Sequence, residues 1–435
     1  MPVSAAGAAL RFLEPAGGID RSRSVLHGPF VPGHRPSDEV IVTDPIDPID
    51  KLGDIAATAG LRRVHMLAWR DLDDVEAGGS EVHASEVARL WAEAGIEVVM
   101  RTSFAQGHPS QAQRDGYRVV RKAGRYLVFP RSAASEALGR HGRRDALVEI
   151  WNGMPFLSPL WARGPRVVFL HHIHAEMWKM VLPPNLARMG DALERRIAPR
   201  LYRGSRMITL SPSSKEEMLE VGFRDHLVDV IPPGVDRRFS PGGERSITPL
   251  VVGVGRLVPV KRFDRLVRAV HRARRQAPDL RLLLVGTGPE RTALEALVEE
   301  LDATSYVHFA GRVSDEALVD IYRSAWCVAS SSVREGWGMT LTEAASCGTP
   351  AVATRIAGHL DAVVEGHSGL LADDVEGLAE HLATIAGDPE LRDRLQAGAL
   401  AHSSRFSWTN TATRILETVA DEVLGRPSAQ AGPPA

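Results

Sequence analysis

From residue 64 onward, short apolar runs alternate with amphipathic stretches of about 10 to 18 residues, and that alternation admits few architectures. In the first half the runs are Val64–Ala68, Val98–Arg101, Tyr126–Phe129, Leu147–Trp151, Val167–Leu170 and Met207–Leu210. In the second they are Leu250–Val254, Leu282–Val285, Val307–Phe309, Trp326–Ala329 and Ala351–Thr354. Runs this short and this continuously apolar fit strands buried on both faces, and their alternation with helical segments fits parallel sheets covered by helices. Pro and Gly interrupt the series at Ile231-Pro232-Pro233-Gly234-Val235-Asp236 and Ser240-Pro241-Gly242-Gly243, where a linker is expected. The chain therefore reads as α/β, with two facing, doubly wound Rossmann-like domains over residues 61–240 and 241–407. Ligands of such sheets bind beyond the carboxyl ends of the strands, which here means the interdomain cleft.

Residues 1–60 are rich in Pro, Gly and Ala, contain Asp44-Pro45-Ile46-Asp47-Pro48-Ile49-Asp50, and hold neither period, so a flexible extension is expected. Lys plus Arg is 52 against 54 for Asp plus Glu, a net charge of −2, which disfavours a globally basic nucleic-acid binder. Cys327 and Cys347 are the only cysteines, so neither a disulfide scaffold nor a zinc spacing is available. No stretch of 18 apolar residues occurs, and Ala5–Leu13 is too short for a signal core and broken by Arg11, so a cytoplasmic protein is expected.

The chemistry-bearing residues follow strand ends. Glu335 and Glu343 bracket a Gly-Trp-Gly turn that opens a helix near Met339, and the helix N-terminus can offer free N–H groups to an anion or to sugar hydroxyls. Read alone, the two acids are equally a loop acid and a helix-surface acid. Gly255-Arg256 ends the first strand of the second half, with Lys261 five residues on; alone, such a basic pair reads either as solvated or as the clamp a departing diphosphate requires. Gly286-Thr287-Gly288-Pro289 is not a dinucleotide fingerprint. Gly78-Gly79 leads into a helix and is either a second cradle or a plain turn. His171, His172 and His174 follow Val167–Leu170, yet only Glu176 lies near them, so a substrate-contacting His is favoured over a metal site. Asp71-Leu72-Asp73 sits in a polar loop and is read as no metal site.

Taken together and in order, these segments resemble the retaining family 4 glycosyltransferases with the GT-B fold (glycosyl transferases group 1), over about 360 residues from Val64 to Leu424. Gly78-Gly79-Ser80-Glu81 resembles that family's first loop, Gly234-Val235-Asp236 with Phe239 and Pro241 its interdomain signature, and Glu335 with Glu343 its Glu-x7-Glu motif. Phe406-Ser407-Trp408 and the segment 408–425 resemble the helix that crosses back to the first domain, leaving 426–435 as a disordered tail.

The resemblance implies roles. Arg256 and Lys261 would clamp the diphosphate, Glu335 would hold donor-sugar hydroxyls and Glu343 the ribose. The amides of Trp337, Gly338, Met339 and Thr340 would face sugar and phosphate, and Gly311, Arg312 and Val313 the nucleobase. His171, or His172 in its place, would sit by the reacting carbon. Gly358-His359-Leu360-Asp361-Ala362 departs from the family's Gly-Gly-Ile-Pro-Glu and leaves sugar preference open.

The implied reaction is hexose transfer from a nucleotide diphosphate sugar to an acceptor hydroxyl, with retention, no metal and no cofactor beyond the donor. Acceptors of cell-envelope glycan, lipid-linked or small-molecule type are all compatible, and a nucleotide-sugar 2-epimerase is the alternative on this fold. Residues 114–144 carry nine basic side chains against Asp115 and Glu136, net +7, and Arg195, Arg196, Arg200, Arg203 and Arg206 form a second cluster. Such surface reads either as a solvated face of an arginine-rich chain or as one suited to an anionic membrane, which would make the cytoplasmic protein peripheral at the inner face of the plasma membrane.

Overall fold

The computed structural model describes residues 47–426. Fourteen strands form two sheets among the described residues. The first holds β1 (Arg63–Leu67), β2 (Glu97–Thr102), β3 (Gln111–Arg114), β4 (Tyr117–Arg121), β5 (Ala146–Trp151), β6 (Arg166–Leu170), β7 (Arg206–Thr209) and β8 (Val228–Val230), in the order β3-β4-β2-β1-β5-β6-β7-β8. All pairs are parallel except β3–β4. The second holds β9 (Leu250–Val254), β10 (Arg281–Val285), β11 (Val307–Gly311), β12 (Cys327–Ser330), β13 (Ala351–Thr354) and β14 (Gly369–Ala372), in the order β11-β10-β9-β12-β13-β14, all parallel. Strand order reverses between β1 and β5 and again between β9 and β12, and those two switch points open at carboxyl ends.

Two expectations need correction. Tyr126–Phe129 is not a strand: the neighbour of β2 is Tyr117–Arg121, and Val128 opens a helix, Val128–Ala137. Pro130 explains the difference, because the first turn of a helix tolerates a residue without an N–H while a central ladder does not. The flexible extension also ends earlier than residue 60. Asp47 accepts the Ile49 N–H at 2.8 Å and Pro48 takes the first helical position, so the Asp-Pro phrase starts helix Pro48–Ala59. Leu52 on that helix is fully buried. The expectations for residues 1–46 and 427–435 lie outside the described residues.

Helix Trp408–Leu424 leaves the second domain and lies in the core of the first. Ala412, Ile415, Leu416 and Val419 are fully buried in one cluster with Met66, Val98 and Leu52. The three larger ones contribute about 1.5–3 kcal/mol each by burial, so the connection is held firmly against the first sheet. Trp91 donates its indole N–H to the Ala412 carbonyl at 3.0 Å. At Gly234 the linker touches this helix so closely that a Cβ would lie 2.1 Å from the Trp408 nitrogen.

Candidate active site

Both walls of the cleft are built by residues that leave strand carboxyl ends. On the second-domain side, β9 runs into Gly255-Arg256 and the 3-10 turn Pro259–Lys261. Lys261 Nζ lies 2.5 Å from Glu335 Oε1, and the Ser332 hydroxyl donates to the same oxygen at 2.7 Å. Burial opposes ionisation of Glu335, but the charges of Lys261 and His359 and these two hydrogen bonds outweigh it and hold its carboxyl below the usual range. His359 lies beneath, fully buried, with Nδ1 2.8 Å from the Thr354 carbonyl. The Arg256 carbonyl accepts the Val258 N–H at 2.9 Å, while the guanidinium forms no ion pair among the described residues. Its Nε lies 3.8 Å from where a Cβ on Gly78 would be, so the guanidinium reaches across to the first domain uncommitted.

The turn between Glu335 and helix Met339–Ser346 needs its glycines. Gly338 caps the helix at φ 106°, a left-handed conformation. At Gly336 a Cβ would lie 2.9 Å from the His171 carbonyl oxygen and 3.1 Å from His172 Nδ1, so the two domains meet there. Trp337 buries its side chain against Phe406, ring centroids 5.2 Å apart, in one cluster with Leu210 of the first domain and Ala362. Glu343 accepts the Tyr322 hydroxyl at 3.1 Å. Burial pushes its carboxyl up to about 7; the Tyr322 hydrogen bond opposes this and Asp315 and Asp236 add to it. Gly311, exposed Arg312 and Val313 leave β11 at the same edge, and the Gly286 N–H donates to the Gly311 carbonyl at 2.8 Å.

On the first-domain side, Gly78 precedes helix Gly79–Glu93. Glu81 reaches back to the Gly78 N–H at 2.8 Å and accepts Arg70 Nε at 3.2 Å. Gly79 faces Met339 so closely that a Cβ would sit 2.9 Å from its sulfur. The two helix N-termini therefore confront each other.

The three histidines differ. His171 is 6% exposed and turns inward, its Nε2 3.2 Å from His83 Nδ1. His83 in turn stacks on Trp408, centroids 5.6 Å apart. Burial and the neighbouring His174 lower the His171 pKa to about 4. His172 is the ring that faces Gly336; burial, then His174, Arg334, His171 and Lys261, hold its pKa well below 6.5. His174 stacks on it at 4.7 Å and lies 3.3 Å from Glu194. Asp71 and Asp73 are both engaged by Arg121, and Asp73 also by Arg114, which leaves that Asp-x-Asp pair committed to ion pairs.

Sequence reading did not single out Asn152, Ser213 or Arg334, which the structure brings to the cleft. Asn152, after β5, donates to Ser80 Oγ at 2.7 Å. Arg334 ties the second domain to the first through the Ile173 carbonyl and Glu217, each at 2.5 Å. Asp361 accepts the Ser213 hydroxyl, and Ser213 Oγ accepts the Gly358 N–H at 3.0 Å. The loop that departs from the family pattern is thus an interdomain latch. Only long-range packing reveals these pairs.

With this geometry in view, residues 77–239 match the family model described as Glycosyltransferase Family 4, and residues 236–401 match Glycosyl transferases group 1. The chain is 35% identical over 402 residues to a D-inositol 3-phosphate glycosyltransferase of Stackebrandtia nassauensis, covering 81% of this chain and 88% of that one. It is 28% identical over 348 residues to a GDP-mannose-dependent alpha-(1-6)-phosphatidylinositol monomannoside mannosyltransferase of Mycolicibacterium smegmatis, covering 72% and 86%. Among solved structures, sucrose-phosphate synthase of Thermosynechococcus elongatus superposes with a TM-score of 0.72 at 20% identity, over 81% of this chain and 97% of the other. Anabaena HepE in complex with UDP and glucose gives 0.64 at 20% identity, over 83% and 100%.

Proposed function

The chain belongs to the family 4, group 1 glycosyltransferases of GT-B fold, and from that premise we propose that it moves a hexose from a nucleoside diphosphate sugar to an acceptor hydroxyl with retention of configuration. The observation that carries this is the convergence of Arg256, Lys261 and the N-terminus of helix Met339–Ser346 on one point of the cleft, opposite Gly78-Gly79. Charge develops on the diphosphate as the sugar C1–O bond breaks. Two cations and a set of free amides held in place before the reaction stabilise it without reorganising. Glu335, kept ionised, accepts donor-sugar hydroxyls; Glu343 takes the ribose and Gly311–Val313 the base.

The acceptor attacks C1 from the face the diphosphate leaves. Its O–H breaks as the new C1–O bond forms, and the proton passes to the departing phosphate oxygen, so no protein carboxylate need act as nucleophile. His172, neutral at pH 7, is the imidazole that faces this point and donates one ring N–H to the donor. His171 positions the loop from beneath through His83.

The acceptor is a polyhydroxylated molecule of the kind the named relatives glycosylate, presented at an anionic membrane surface. Exposed Lys122, Arg131, Arg140 and Arg143 lie in the same segment as Tyr126 and Leu127, which are 65% and 64% exposed. Among the described residues no helix is long and apolar enough to cross a membrane. Calorimetry with UDP and GDP tests the donor half: one of them binds the folded protein, and binding of neither contradicts the proposal.

A further inference from the structure

A second concentration of positive charge lies away from the cleft. Arg195, Arg196, Arg200, Arg203 and Arg224 line a cavity of about 330 Å³, and no carboxylate is among its lining residues. All five are exposed, and none forms an ion pair among the described residues. Folding changes the cluster that the sequence suggests. Arg206 leaves it, because it is buried and paired with Asp229 at 3.2 Å and Asp421 at 3.6 Å. Arg224 joins it from the far side of helix Pro212–Glu220.

The local backbone explains why the side chains converge. Pro199 has no N–H to give the Arg195 carbonyl, so the helix cannot continue regularly there. It relaxes into a π turn, Leu193–Ile197, closed by the Ala198 N–H on the Leu193 carbonyl. Glu194 then points inward, 1% exposed, to accept the His174 N–H at 2.9 Å, while Arg195 and Arg196 stand outward over Arg200 and Arg203. Arg203 precedes β7 and Arg224 precedes β8, so the cavity lies at the amino ends of these strands. The cleft lies at the carboxyl ends. The donor diphosphate cannot occupy both.

We propose that this arginine cavity binds a phosphate-bearing anion at a site separate from the donor cleft. Five uncommitted guanidiniums repel one another, and an anion with several oxygens relieves that repulsion while matching their planar forks. A carboxylate offers two such oxygens; a phosphomonoester or diphosphate offers more and carries more charge. The cavity suits a group of headgroup size. The ligand is either a phospholipid headgroup or a soluble phosphate ester, and the same chemistry serves both.

The test uses the full chain with its cleft saturated by whichever of UDP or GDP binds, so failure of the donor reading shows separately as absence of that binding. The probes are inorganic pyrophosphate, by calorimetry, and vesicles of phosphatidylglycerol in phosphatidylcholine, by sedimentation at low salt. The variant is Arg200→Gln/Arg203→Gln, and the control is Arg268→Gln/Arg275→Gln, two exposed arginines of the second domain. Pyrophosphate binding at least tenfold weaker in the variant and unchanged in the control supports the site with a soluble ligand. Vesicle binding lowered at least tenfold by the variant supports it with a lipid ligand. Equal binding of both probes to wild type and folded variant, or binding of neither to wild type, overturns it.

Discussion

Replacing Lys261 by Met removes one unit charge from the centre of the cleft while keeping the length of the side chain. A cation about 4 Å from a phosphate oxygen, at an effective dielectric near 20, is worth ~4 kcal/mol before sharing with other donors. Arg256 and the amides of helix Met339–Ser346 share that charge, so the net loss falls at about 3 kcal/mol, the size of one lost transition-state donor. Turnover should drop by roughly 100-fold or more. The second consequence concerns Glu335. With Lys261 Nζ gone from 2.5 Å, the hydroxyl of Ser332 at 2.7 Å is the side-chain donor left to Glu335. In the wild type the folded pKa of Glu335 is depressed. Its stabilising contribution is therefore present above the unfolded value and lost as pH falls through the lower folded value. In the variant the folded pKa rises, so the acid limb of the activity profile should move to higher pH. Nucleoside diphosphate release at saturating donor measures the first effect, its pH profile the second, and thermal unfolding shows that the variant is folded. A folded Lys261→Met enzyme with turnover within a few-fold of wild type would refute the reasoning.

Two further outcomes follow from perturbed groups. Glu343, with a folded pKa raised to about 7, disfavours the fold as it ionises, so Glu343→Gln should match wild-type stability below about pH 4.5, gain on it between there and 7, and stay ahead above by on the order of 1–3 kcal/mol; denaturation at pH 4 and 8 checks this, and a pH-independent difference contradicts it. His172→Ala should cut turnover at least tenfold with little change in thermal stability, whereas His171→Ala should lower the melting temperature, because His171 is buried and bonded to His83; paired kinetics and melting curves separate the two, and the reverse pattern would exchange their roles.

How much of this was legible beforehand depended on the range of the interaction involved. Ten of the eleven apolar runs named from the sequence overlap strands, because strands buried on both faces are written as local hydrophobicity. Gln111–Arg114 escaped because it is a polar edge strand with no apolar run, and Tyr117–Arg121 because arginines interrupt its apolar pattern, Arg121 being buried in its pairing with Asp71 and Asp73. Val228–Val230 is broken at its centre by Asp229, and Gly369–Ala372 opens on a glycine and holds no β-branched or aromatic residue, so neither reads as a strand. Asp47-Pro48 looked like breakage and is a helix start, since the same residues that end one element cap the next. In the site, the Lys261–Glu335 pair could be suspected from strand-end placement. Which histidine faces the cleft could not, because adjacent residues point to opposite sides and the sequence does not record the side on which the other domain lies. Asn152–Ser80 and Ser213–Asp361 are separated by 72 and 148 residues, and no local pattern encodes them.

The central claim is tested most directly by incubating the full chain, in excess EDTA, with GDP-mannose, UDP-glucose and UDP-N-acetylglucosamine in turn, each with inositol phosphate and lipid-linked acceptors, and following anomeric protons and nucleoside diphosphate by NMR. One donor should release its nucleoside diphosphate in step with a new glycoside of the same anomeric configuration as the donor. Inverted product, activity that returns only with manganese, or free sugar formed without any acceptor product would contradict a metal-independent retaining transferase.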